Sequence, residues 1–155
     1  EKINYLKLSL SLFLCFSAGF LGSIFTVSAI PTWYASLNKP FFSPPNWVFA
    51  PVWTILYFLM GFSFYLIWQK GIKNQKAISL FLIQLFLNFL WSILFFGLHA
   101  PLLGLMEIVI LWFSIFLTTK SFLKINKTAG YLLIPYFLWV SFASILNLAV
   151  YLLNK

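Results

Sequence analysis

Five long apolar runs, at about residues 8–30, 46–68, 78–98, 101–119 and 129–153, leave this chain few ways to fold. Each is roughly 19–25 residues long, and about 20 residues rising 1.5 Å apiece cross a hydrocarbon core near 30 Å thick. Backbone N–H and C=O groups in lipid find no water, so each run must satisfy them internally, which selects helix. A water-facing surface is ruled out by composition. Hydrophobic residues make up 63% of the chain and charged residues 8%, where a soluble domain carries about 25% charged residues. The sequence predicts an all-α, polytopic membrane protein, with five transmembrane helices in one bundle and a single domain over residues 1–155.

The net charge of +8 is distributed by topology. With the N-terminus on one side, that side receives Lys2, Lys7, Lys70, Lys73, Lys76, Lys120, Lys124 and Lys127, and the other receives only Lys39 and Lys155. The positive-inside rule then places the N-terminus in the cytoplasm. The basic loops face anionic lipid head groups, and no interleaved basic and aromatic surface invites nucleic acid. Lys2 and Lys7 resemble the start of a signal peptide. The apolar run behind them is about twice a usual signal core, so a retained first helix is expected. Cys15 and His99 are the only cysteine and histidine, so neither a disulfide nor a metal site is expected, and no cofactor. His99, just before Pro101, reads as a turn residue at the membrane interface.

Between the first two runs lies WYASLNKPFFSPPNWVFAPVW, residues 33–53, with three Trp, four Pro and one charge. Each Pro fixes φ and lacks a donor, so the first part cannot be a regular helix. Dense aromatics beside Pro point to a stiff, extended flap at the membrane surface. Pro51 and Pro135 are expected to free the carbonyls of Trp47 and Tyr131 and to kink their helices.

Polar and aromatic residues at membrane depth carry whatever chemistry there is. Gln84, Asn88, Trp91 and Phe95 share one helical face, as do Trp139, Ala143, Leu146 and Asn147, and Trp53 and Tyr57 are one turn apart. Trp33, Trp47 and Trp68 sit where interfacial indoles belong, whereas Trp53, Trp91, Trp112 and Trp139 lie deep. Deep indoles on faces shared with amides fit two readings, a flat, mostly apolar cavity with a few polar anchors or a packed core. Glu107 is the one acid within a span. It either ties helices together through Gln84 or Asn88, or handles ligand or protons.

The run WYASLNKPFFSPP followed by NWVFAPVWTILYFLMGFSFYLIW is similar to the signature of the TspO/MBR family, the translocator proteins, peripheral-type benzodiazepine receptors or tryptophan-rich sensory proteins. QLFLNFLW, FFG and the stretch from IPYFLW to SILN extend the resemblance in order along nearly the whole chain. It implies a membrane receptor or sensor, bacterial in kind, whose bundle pocket binds porphyrins such as protoporphyrin IX and lipophilic benzodiazepine-site ligands, with membrane lipids around it. The implied ligand-binding residues are Trp53, Tyr57, Gln84, Asn88, Trp91, Met106, Ile110, Trp139, Ala143 and Leu146. The resemblance also implies light-dependent porphyrin degradation through Trp53 and Trp139, a homodimer, and a bacterial cytoplasmic membrane. Ala18, Gly19 and Gly22 offer a small-residue face to such a dimer. A small secondary transporter of tetrapyrroles or lipophilic compounds, using Glu107, is the alternative. The chain departs from the family at Leu103, where mammalian members carry Trp, at Met106, where a small residue is usual, and at Glu107, where Asp is common.

Overall fold

The computed structural model describes residues 2–155. Its helices are α1 (Tyr5–Ala29), α2 (Phe49–Gln69), α3 (Gln75–Ser92), α4 (Pro101–Ile125), α5 (Lys127–Leu132) and α6 (Ile134–Leu153). Five spans result, because a short turn Asn46–Val48 leads into α2, the π-turn Ile93–Gly97 extends α3, and α5 and α6 together cross once. The fourth span runs to Ile125, six residues past the expected end at 119. Asn4 starts α1 by accepting the Lys7 N–H at 3.1 Å, and Asn126 caps α5 by accepting that of Ala129 at 3.1 Å.

The two spans containing Pro51 and Pro135 differ from expectation. Pro51 is the third residue of α2. An N–H there has no helical partner in any case, so the proline costs α2 no hydrogen bond. Pro135 is the second residue of α6, just after a break at Leu133, whose N–H turns back to Gly130 O at 3.1 Å. This proline opens a new helix instead of bending an old one.

α1 packs on α2 and α3, α3 on α4, and α4 on α6, with α5 against α2 and α4. Close approach of α1 to α2 depends on glycine, since a methyl on Gly61 would come within 2.7 Å of Leu12. Gly19 and Gly22 serve the same packing. A Cβ on Gly19 would strike the Tyr57 ring at 2.5 Å, and one on Gly22 would stand 3.2 Å from Ser92 Oγ. Those small residues face the bundle interior, so they give no evidence for a dimer. The half of the bundle beside the lysine-rich loops is solid. Phe64, Phe81 and Phe122 stack at 4.6 and 5.8 Å, and Met60, Ile67, Ile115 and Tyr136 are fully buried with them.

At the opposite end the flap between α1 and α2 is bound to the bundle. Its first part is a 3-10 turn, Tyr34–Ser36, not the fully extended strap expected. Tyr34 is buried against Phe49, Phe95 and Phe96. Burial also pushes its phenol above the usual tyrosine range. Lys39 Nζ donates to Tyr34 O at 3.0 Å and Leu37 O at 3.2 Å, which locks the turn from within. Asn38 N–H donates to Asn154 Oδ1 at 2.9 Å and Asn154 Nδ2 to Asn38 O at 2.8 Å, joining the flap to the end of α6. His99 holds φ 53° in the turn before α4, and its ring stacks on Trp33 at 4.7 Å and 4°.

Candidate functional site

Beneath the flap is a cavity of about 360 Å³, toward the lower end of the range in which ligand sites fall. Phe16, Gly19, Ser23 and Thr26 line it from α1, Trp53 and Tyr57 from α2, Asn88 and Trp91 from α3, and Trp139, Ala143, Leu146 and Asn147 from α6. Tyr34 and Phe49 close its top. Phe20 and Val27 of α1, 69% and 68% exposed, also line it, as do the exposed Ala50 and Thr54 of α2. Residues that face both the cavity and the surroundings mark its mouth, which therefore opens sideways between α1 and α2.

Most of the expected site residues meet here. Trp53, Tyr57, Asn88, Trp91, Trp139, Ala143 and Leu146 all line the cavity. Gln84 does not; it is buried one turn deeper on α3, behind the floor. Met106 and Ile110 do not either, at 59% and 58% exposed on the outward face of α4. α4 turns Gly104, Glu107, Ile108 and Leu111 inward, and positions 106 and 110 fall on the other side of the helix. Leu103 is 46% exposed as well, so the departures at Leu103 and Met106 leave the cavity walls unchanged.

The aromatic walls are ordered. Trp53 stacks on Tyr57 at 5.6 Å, Trp91 on Phe95 at 5.0 Å, and Trp139 meets Phe49 and Phe142 at 6.3 and 5.5 Å. The π-turn at Ile93–Gly97 brings both Phe95 and Phe96 inward beside Trp91. Such turns often mark functional sites, and no residue pattern in the sequence announced this one. Trp91 Nε1 donates to Asn147 Oδ1 at 3.0 Å, while Asn147 Nδ2 donates to Pro101 O at 2.9 Å. Trp112 is spent elsewhere, on Ser141 Oγ at 2.7 Å between α4 and α6. Among the described residues no protein acceptor takes the indole N–H of Trp53 or Trp139, and neither nitrogen is sealed in the core. Two donors are therefore available to a guest.

The floor is polar and continuous. Tyr57 Oη donates to Asn88 Oδ1 at 2.6 Å, Asn88 Nδ2 to Tyr136 Oη at 2.9 Å, and Tyr136 Oη to Gln84 Oε1 at 2.7 Å. Glu107 faces the interior at 5% exposure, but it ties neither Gln84 nor Asn88, the partners expected for it. Both of its oxygens, and Gln84 Nε2, lack a partner. No cluster of His, Cys, Asp and Glu that could hold a metal occurs among the described residues.

A five-span bundle with an indole-lined chamber open on one side defines an integral, multi-pass membrane protein with a cavity of small-molecule size. The chain belongs to the TspO/MBR family, whose model matches residues 11–153. It is 50% identical to the tryptophan-rich protein TspO of Archaeoglobus fulgidus, over 98% of this chain and 99% of that protein. It is 35% identical to the tryptophan-rich sensory protein of Cereibacter sphaeroides (93% and 92% covered) and 36% identical to the human translocator protein (85% and 80%).

Proposed function

We propose that this protein is a membrane receptor or sensor whose chamber binds a flat, largely apolar guest of the tetrapyrrole class, protoporphyrin IX or a relative. The observation that carries the reading is the pair of uncommitted indole donors, Trp53 and Trp139, set among aromatic faces. Flat apolar area stacks on such walls, and the N–H groups can meet the carboxyl or carbonyl oxygens at its edge. A sideways mouth suits a guest that partitions into the bilayer, and lets a macrocycle larger than the enclosed space project between α1 and α2. The names of the relatives, sensory protein and translocator protein, are in keeping with it.

Titration of the protein in lipid nanodiscs with protoporphyrin IX, followed by tryptophan fluorescence, tests the reading. Saturable quenching that weakens in the Trp53→Phe, Trp139→Phe double variant supports it; equal affinity in that variant removes the two indoles from the site. Illumination in the presence of dioxygen adds a separate test of catalysis. Consumption of more than one porphyrin per protein, lost in the same variant, would make the protein an enzyme acting through photo-oxidation. A transporter would need a route through the other half of the bundle, which Phe64, Phe81, Phe122 and Met60 fill. That packing favours the receptor.

A further inference from the structure

The chamber walls carry no charge. Among the described residues that line it there is no Lys, Arg, His, Asp or Glu. The cations lie elsewhere. Eight of the ten lysines belong to the basic end, past the packed rings of Phe64, Phe81 and Phe122. Lys39 of the flap donates to Tyr34 O and Leu37 O, and Lys155 follows the end of α6. His99 stacks on Trp33 and is not part of the lining. Glu107 is sealed in the bundle and does not line the chamber either.

What the walls offer is neutral hydrogen bonding. Trp53 and Trp139 each bring a free indole N–H. Near the mouth, Ser23 Oγ donates to Phe20 O at 2.7 Å, Thr26 Oγ1 to Gly22 O at 3.2 Å and Thr54 Oγ1 to Ala50 O at 2.7 Å. These three hydroxyls have placed their protons on their own helices and keep lone pairs for a guest. A carboxylic acid matches both kinds of group, since its C=O accepts from an indole and its O–H donates to a hydroxyl oxygen. A carboxylate matches the indoles alone, and its charge finds no counter-ion. An ion taken out of water without a partner is disfavoured far more than the neutral acid, and the group takes up a proton instead. Leaving the charge at the mouth helps little, because Ile24 and Val27 of α1 and Ile55 and Phe58 of α2 give its surroundings an exposed apolar surface.

We propose that the chamber takes its guest only in uncharged form, so that a carboxyl-bearing tetrapyrrole enters as the neutral acid and binding takes up the protons its carboxylates lack. This rests on the receptor reading of the chamber and adds the charge state of the ligand to it. Esters, amides and other neutral flat lipophiles fall in the same ligand class. The remaining titratable groups around the chamber do not alter the balance. They are Tyr34 of the flap, Tyr57 of α2, Tyr136 and Tyr151 of α6, and Cys15 of α1. A phenol or a thiol is either neutral or an anion, so none of them supplies a positive counter-charge. α3 and the π-turn carry no titratable side chain between Lys76 and His99, and α5 contributes Lys127 and Tyr131 at the basic end. Glu107 of α4, if ionised, adds to the repulsion of a carboxylate.

The test compares protoporphyrin IX with its dimethyl ester, which keeps the carbonyls and has no titrating carboxyl. Both are titrated against the full chain in zwitterionic nanodiscs from about pH 5.5 to about pH 8.5, with uptake by empty nanodiscs subtracted. Because the complex holds protons that the free acid has lost, affinity for the acid falls as pH rises. A loss of up to about tenfold per pH unit is expected for each carboxyl taken in, once pH passes the point at which that carboxyl ionises in the bilayer. The ester should bind within about threefold of one value throughout. Thr54→Lys places a cation at the mouth and should flatten the profile of the acid while leaving that of the ester unchanged. Identical profiles for acid and ester, or tighter binding of the acid at alkaline pH, overturn the proposal. Loss of that tighter binding in Lys39→Gln would identify the flap lysine as the counter-charge. If neither porphyrin binds, the receptor reading falls, and the charge rule is decided on a smaller flat pair, pyrenebutyric acid and its methyl ester. Ester binding that survives alkaline pH while acid binding is lost supports the rule; equal binding of the two, or none, overturns it.

Discussion

Trp53 and Trp139 differ from the other deep indoles in one respect that matters for binding. Trp91 and Trp112 have their N–H groups committed to Asn147 and Ser141, so their rings pack while their donors are used up. Replacing Trp53 and Trp139 with Phe keeps aromatic walls and removes two donors. At about 0.5–1.5 kcal/mol for each hydrogen bond, affinity for protoporphyrin IX should fall roughly tenfold or more, as read by fluorescence titration. Tyr136 is a different case, since it touches no guest. Tyr136→Phe leaves Gln84 Oε1 and Asn88 Nδ2 buried and unpaired. A loss of about 1–3 kcal/mol for each group is expected, visible as a lower Tm in nanodiscs, with the chamber still able to bind. Tyr34 shows the sign of a buried phenol. Its raised pKa means the flap is at full stability below the ordinary tyrosine pKa of about 10 and loses it as pH rises through the higher folded value. The phenolate absorbance of Tyr34 should therefore appear only above the ordinary tyrosine range, and together with flap opening.

Among the elements, the flap and α4 show what a sequence can and cannot say. The five spans were legible because hydrocarbon thickness fixes their length and lipid forbids unsatisfied backbone. The inward faces of α3 and α6 were legible too, since Gln84, Asn88 and Asn147 mark them against an apolar background. As far as Lys120, α4 is apolar nearly all round apart from Glu107 and small hydroxyl residues. Periodicity alone could not show that Met106 and Ile110 point outward. Pro51 misled for a related reason, because a proline bends a helix only beyond its first turn and the boundary was placed too early. The polar tie between the flap and the end of α6 was invisible, because Asn154 meets the backbone of Asn38, 116 residues away. That attachment gives a prediction at this scale. Asn154→Ala removes both bonds to Asn38, so a bound porphyrin should leave several-fold faster in stopped-flow displacement, with a small effect on Tm. An unchanged release rate would mean that guests pass only through the mouth between α1 and α2.

For the whole molecule, eight lysines on one rim and a solid phenylalanine core beside them set an open, flap-covered end against a closed, basic one. The lysine asymmetry calls for the N-terminus to be cytoplasmic. Labelling a cysteine placed at exposed Lys73 or at exposed Phe41 with an impermeant reagent, in right-side-out vesicles, should modify only the latter. The chamber itself is tested most directly by ligand protection of two further positions on neighbouring helices. Ala143 lines the cavity and Met106 faces outward on α4. With a membrane-permeant maleimide, protoporphyrin IX should shield Ala143→Cys in proportion to occupancy and leave Met106→Cys as reactive as before. Equal shielding at both, or none at Ala143→Cys under saturating porphyrin, would show that the guest lies on the lipid-facing surface and that the interior is not its site.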